Sequence, residues 1–171
     1  MTGAPEQEKK MKAIVVVDEK WNIGKDGGLL VHLSGDLKYF KQRTLGKTIV
    51  IGRKTLESFP GAKPLPGRPN LVLTRNPEYK PEGVQVFNSK EQLMEHIGTD
   101  TDDIFICGGE NIYRQFLEDC DTFYVTKIYD SFPADRSFPN LDERDDMEVT
   151  WESEEQEEKG IRYQFFEYSK K

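Results

Sequence analysis

After a polar lead, the chain opens on Ala13-Ile14-Val15-Val16-Val17, a short β-branched run with apolar residues at consecutive positions. Unbroken apolar character over so few residues is how a strand buried on both faces reads. Thr48-Ile49-Val50-Ile51 repeats the pattern, and Leu71-Val72-Leu73-Thr74, Val84-Gln85-Val86-Phe87, Ile104-Phe105-Ile106-Cys107 and Phe123-Tyr124-Val125-Thr126 predict further strands. Between them the spacing turns helical. Leu37 and Phe40 follow Ser34, a short helix follows Arg53, Leu93, Met94 and Ile97 follow Ser89 as a candidate cap, and another helix is expected over 110–117. A polar, Gly-rich loop is expected over 18–28, and residues 60–69, with four of the nine prolines, read as an extended loop. Two late runs, Val149-Thr150-Trp151 and Tyr163-Gln164-Phe165-Phe166, predict a closing antiparallel hairpin. Strands alternating with helices predict an α/β fold: one domain over 11–171, a mostly parallel central sheet with flanking helices, and that C-terminal hairpin.

Composition sets limits on this picture. A chain of 171 residues buries a full core without disulfides or metal. A net charge of −7 argues against a nucleic-acid-coating surface, though a local cluster of cations is enough to bind a phosphate. Cys107 and Cys120 make no framework or CxxC pair, and His32 and His96 lie far apart, so a reducing compartment without a zinc site is expected. No apolar run approaches the roughly 18 residues of a membrane span. Residues 1–10 read as a disordered polar extension without the apolar stretch of a signal peptide; Met11 is a candidate ancestral start, and a vector-derived leader reads equally well. A cytoplasmic protein with a small-molecule substrate is expected. From Leu141 to Glu158 there are ten acidic residues and one basic, which read as a solvated hairpin and turn.

Candidate chemistry lies at strand ends. IVIGRKT and IFICGGENIY each place glycine at the C-terminal end of a buried strand, just before a helix. Ligands of open α/β sheets bind at that edge, where a helix start offers unpaired N–H groups to phosphate. A single such turn is more often a plain tight connection; two, one with Arg53, Lys54 and Thr55, point to a dinucleotide. Arg75 immediately follows another strand, which ends in Thr74, and three cations together favour NADPH over NADH, although each alone also reads as a solvated surface charge. Asp36, in a helix first turn with Phe40 at i+4, has two readings. It is an exposed carboxylate favoured by the helix dipole, or, with Leu33 and Leu37 marking a buried face, a cleft acid whose raised pKa lets it relay a proton.

Five segments occur in order: Asn22-Ile23-Gly24-Lys25-Asp26, Asp36-Leu37-xx-Phe40-Lys41, Ile51-Gly52-Arg53-Lys54-Thr55-Leu56-Glu57-Ser58, Pro64-Leu65-Pro66-Gly67-Arg68-Pro69-Asn70 and Gly108-Gly109-Glu110-Asn111-Ile112-Tyr113. Their series resembles bacterial-type dihydrofolate reductase over nearly the whole chain. The resemblance implies NADPH-dependent reduction of dihydrofolate for one-carbon metabolism, and sensitivity to antifolates. It implies that Asp36 binds the pterin and favours protonation at N5, that Thr126 bonds its carboxylate, and that Cys107 and Tyr113 flank the hydride path. It implies that Val16, Leu37, Phe40, Phe59 and Leu65 wall the substrate and that Arg68 grips the glutamate carboxylate. For the cofactor, it implies the backbone of Val16 and Ile23 at the carboxamide, Thr55 and Gly108-Gly109, whose link resembles the family's cis peptide, at the pyrophosphate, and Gly24 and Gly52 among the further contacts. Glu110, Asn111 and Ile112 would lie beside them, and Arg53, Lys54, Thr74 and Arg75 at the adenosine end. The loop over 18–30 matches the family's mobile lid.

Three departures stand out. The chain has Leu30-Val31 where the family most often carries Pro-Trp, Cys107 in place of a branched aliphatic residue, and Asn111 where some members have an arginine. Two other readings compete. A reductase of the riboflavin pathway has no need of an acid like Asp36 paired with a carboxylate-gripping Arg68. A nucleotide-binding module without chemistry would hold NADPH and show no turnover.

Overall fold

The computed structural model describes residues 10–25 and 28–171, so all but Lys10 of the expected N-terminal extension lies outside the described residues. Strands β1 (Met11–Val17), β4 (Thr48–Gly52), β5 (Asn70–Leu73), β6 (Gln85–Phe87), β7 (Ile104–Gly108) and β8 (Cys120–Ile128) form the parallel body of the main sheet. On the far side of β8, β12 (Ile161–Lys170) runs antiparallel and carries β10 (Met147–Glu152) and the short β11 (Gln156–Glu158). The order across the sheet is β10-β12-β8-β1-β7-β4-β5-β6.

Continuous apolar runs arise here because both faces of the sheet are covered. Ile49, Val50 and Ile51 of β4 are all fully buried, yet they face different partners. Val50 joins Val15 and Ile106 against Leu93 of α3 (Lys90–Ile97) and Phe116 of α4 (Glu110–Phe116). Ile49 and Ile51 join Ile14 and Phe105 against Tyr39 of α1 (Ser34–Thr44) and Leu56 of α2 (Arg53–Ser58). Successive strand residues point to opposite faces, so an unbroken run fills two cores at once. Ser89 does cap α3, its hydroxyl accepting from the Gln92 N–H at 3.1 Å.

The structure departs from expectation in three places. The loop expected over 18–28 contains β2 (Asn22–Lys25), which pairs with β3 (Gly28–Leu29) and with β9 (Arg136–Ser137) in a small separate sheet. Asp26 and Gly27, within the expected lid, lie outside the described residues. The late strands β10 and β12 pair as expected, but β11 intervenes and forms the tight hairpin with β12 through Lys159 and Gly160, both at positive φ. On α1, Leu37 is 47% exposed instead of buried, because Tyr39, stacked on Phe165 at 4.0 Å, supplies the packing face.

Candidate active site

The parallel strands all end on one edge, and there the structure opens a cavity of about 940 Å³. Every residue expected at the cofactor lines it: Val16, Ile23, Gly24, Gly52, Arg53, Lys54, Thr55, Thr74, Arg75, Gly108, Gly109, Glu110, Asn111 and Ile112. Cys107 and Tyr113 line it as well. Two glycine turns shape the wall. A Cβ at Gly52 would stand 3.2 Å from Ile112 Cγ1, so the bare backbone lets α4 approach β4 closely. Gly108, at φ +123°, precedes the cis peptide to Gly109, and α4 starts directly after it. Neither helix start is capped by a side chain, since Gly52 and Gly109 occupy the N-cap positions. The first turns of α2 and α4 therefore bring backbone donors to the cavity wall, the arrangement that suits a bridging phosphate.

Cations surround these turns. Arg53 lies over the Tyr79 ring at 5.8 Å, and Lys54 and Arg75 stand on the same wall. Sequence reasoning missed Lys90 and Arg136, which also line the cavity. Lys90 is engaged by Asp119 at 2.6 Å, while Arg136 arrives on β9, whose pairing with β2 no periodicity announces. Glu110 lines the cavity, but its carboxylate is turned to Ser137, accepting from the backbone N–H at 2.8 Å and the hydroxyl at 3.1 Å. These bonds hold its pKa below the ordinary carboxylate value despite burial.

One strand away sits the acid. β8 pairs with β1 in a register that sets Thr126 beside Val16, and the Thr126 hydroxyl donates to Asp36 Oδ1 at 2.7 Å. Asp36 is 8% exposed, so of its two readings the buried one holds. Burial is the main cause that raises its pKa to about 6; the Thr126 bond opposes the rise and the charge of Glu158 adds to it. The Tyr113 hydroxyl donates to the Ile14 carbonyl at 2.6 Å, and burial pushes its pKa well above that of a free phenol. Burial likewise pushes the Cys107 thiol up, so at neutral pH it is a neutral, half-exposed packing group.

Phe40, Phe59, Leu65 and Cys107 are half-buried and pack against the same core as Leu56 and Tyr39. Arg68 is aimed by two hydrogen bonds, Nε to the Pro66 carbonyl at 2.9 Å and Nη1 to Thr44 Oγ1 at 2.9 Å. Its loop is shaped by Asn70, whose amide accepts from the Leu65 N–H and donates to the Leu65 and Arg68 carbonyls at 2.8–3.0 Å. Asn70 ends the motif that carries Arg68, and its place after a proline-rich stretch is the sequence signal for this loop.

The comparisons agree with this geometry. A family model described as dihydrofolate reductase matches residues 10–170. The chain is 38% identical to the dihydrofolate reductase of Bacillus subtilis (strain 168) over 159 residues, covering 92% of this chain and 93% of that one. It is 42% identical to dihydrofolate reductase type 3 of Salmonella typhimurium over 118 residues, covering 69% and 71%. Among solved structures, the dihydrofolate reductase from Enterococcus faecalis complexed with NADP(H) and RAB-propyl superposes with a TM-score of 0.84 at 32% identity, covering 95% of this chain and 97% of that one. The chain belongs to the dihydrofolate reductase family.

Proposed function

We propose that this chain reduces 7,8-dihydrofolate to 5,6,7,8-tetrahydrofolate with NADPH, feeding one-carbon metabolism in the cytoplasm as a monomer. The observation that carries the reading is a buried carboxyl, Asp36 held by Thr126, one strand away from a cavity with two uncapped glycine turns and several cations. When bound, NADPH supplies the hydride that reduces pterin C6. Everything else falls to the chain.

Asp36 binds the pterin amino group and ring nitrogen, and its negative charge favours protonation at N5 by a water. A pKa near 6 brings its titration within reach of neutral pH, where an exposed aspartate would be fully ionised. The Thr126 hydroxyl fixes the orientation of the carboxylate. Tyr113, tied to Ile14, and Cys107 form the wall between the two reacting rings. Phe40, Phe59, Leu65 and the exposed Leu37 enclose the substrate, and Arg68 holds its glutamate carboxylate with a fork already aimed by Thr44 and Pro66. On the other side, Gly52, Thr55 and Gly108-Gly109 receive the pyrophosphate, while Arg53, Lys54 and Arg75 neutralise the 2′-phosphate and with Thr74 enclose the adenosine end. Val16, Ile23 and Gly24 bind the carboxamide through their backbone.

The deciding experiment follows NADPH absorbance on mixing purified protein with dihydrofolate, with NADH and folate as controls. Fast loss with NADPH and dihydrofolate, and slower loss with NADH, is the expected result. Bound NADPH without any loss would leave a nucleotide-binding module and overturn the reading.

A further inference from the structure

The acidic stretch ending at Glu158 reads from sequence as solvated surface, and its last member departs from that. Glu158 closes β11, and the turn at Lys159 and Gly160 leads back into β12. The hairpin lays this carboxylate against the start of α1, 124 residues earlier: Oε2 accepts from the Ser34 N–H at 2.7 Å. Oε1 accepts from the Ser34 hydroxyl at 2.8 Å and from the Gly35 N–H at 3.1 Å. The helix has no local cap, because its N-cap residue is Leu33, whose side chain has no acceptor. Gly35 is required at this joint, since a Cβ there would collide with the Tyr163 hydroxyl of β12. The next residue along the helix is Asp36.

We propose that Glu158 is a positioning residue for Asp36, anchoring the helix turn that carries the acid and setting a like charge beside it. The proposal rests on the reading of Asp36 as the residue that serves pterin protonation. Two neighbouring carboxylates resist ionising together, so the charge of Glu158 keeps the proton on Asp36 to a higher pH. Glu158 itself stays ionised, its pKa lowered by the donors at Ser34 and Gly35. Among the described residues, the other groups that interact with Asp36 carry no competing charge. Thr126 of β8 is a hydroxyl, and Tyr113 of α4 and Tyr163 of β12 are neutral phenols whose burial raises their pKa values. Lys159, beside Glu158, helps to keep it ionised. Asp36 thus gains its proton affinity from two sources: burial in the core, and a charge supplied from the far end of the chain.

The test reads Asp36 directly, by carboxyl 13C NMR titration of the aspartate-labelled protein without ligand, with Asp36→Asn identifying the resonance. Glu158→Gln keeps an acceptor for the helix start and removes the charge. The Asp36 midpoint is expected to fall by about half a unit, leaving about threefold less of the protonated acid above both midpoints, and the gap narrows in high salt. Glu158→Ser, which removes the charge with a smaller hydroxyl in its place, is expected to lower the midpoint as well. It decides the question if Glu158→Gln does not fold. A midpoint that stays in place overturns the proposal, whatever turnover does. A midpoint that falls while the pH profile of dihydrofolate reduction stays fixed upholds Glu158 and instead sinks the role given to Asp36.

Discussion

On one side of the cleft the wall at Gly52 and Gly108-Gly109 is backbone, whereas the proposed substrate site rests on the side chains of Asp36, Thr126 and Arg68, each held by a hydrogen bond. The two sides fail in different ways. A backbone wall depends on the path of the chain, so damage there costs stability and binding together. A side-chain wall depends on a few polar groups, so isosteric changes there alter chemistry and leave the fold in place. The sharpest predictions come from substitutions that should separate these two behaviours.

Asp36→Asn is expected to have the largest effect. The amide retains an acceptor for Thr126 but loses the ionisable charge, so kcat at pH 7 should fall at least about a hundredfold. NADPH affinity, measured by fluorescence titration, should hold; a parallel loss of affinity would erase the distinction between the two sides. The same variant carries a stability signature. The folded-state pKa of Asp36 is raised to about 6 from an ordinary 3.8, so the folded protein binds this proton more tightly than the unfolded chain. Its stabilising contribution is complete below the unfolded value and is lost as pH rises through the folded one. Above pH 7 the buried charge costs on the order of 2–3 kcal/mol. Urea denaturation should therefore find Asp36→Asn more stable than the parent at pH 8, with the advantage gone below about pH 4.

Arg68→Leu comes next. Losing a charge-assisted, bidentate partner should raise KM for dihydrofolate by about 30- to 100-fold, with NADPH affinity and melting temperature little changed. Steady-state kinetics with NADPH saturating are the check, and an unmoved KM removes Arg68 from the substrate site. Gly108→Ala tests the opposite wall. Alanine at φ +123° is strained by roughly 1–3 kcal/mol, so melting temperature and NADPH affinity should drop together, the latter about tenfold. A variant that loses NADPH affinity at unchanged stability would show that this wall, too, acts through a specific contact.

The two sides also differ in how much the sequence discloses. Glycine turns at the ends of β4 and β7 are local, and so are Arg53, Lys54 and Arg75; the strand pattern alone places them on one edge. Buried strands such as β1 and β4 announce themselves because both their faces are covered. By contrast, β2, β3 and β9 are two to four residues long and polar or Gly-containing, too short for any period to register. The burial of Asp36 depends on Thr126, 90 residues away, and the helix cap from Glu158 spans 124. The expectation for Leu37 failed because helical spacing identifies an apolar stripe but not which side of it the neighbouring strands cover. Resemblance to a family supplied the roles that spacing could not, while Arg136 and the helix cap from Glu158 emerged only from the folded chain.

Thr126→Val should have the smallest effect, and it sharpens the comparison because its sign is fixed by the geometry. The Thr126 hydroxyl donates to the ionised form of Asp36 and so lowers the acid's proton affinity, partly cancelling burial. Removing that single donor leaves the carboxylate more costly to ionise. The midpoint of the pH–rate profile should therefore rise, by up to about one unit for a hydrogen bond to a charged group, with a few-fold effect on turnover at neutral pH. Stability should fall more at pH 8 than at pH 5, because only the charged carboxylate needs the bond. A midpoint that moves down would mean that the hydroxyl serves Asp36 as an acceptor instead, with the proton on the carboxyl. The side-chain half of the site would then hold its acid in the neutral form even at rest.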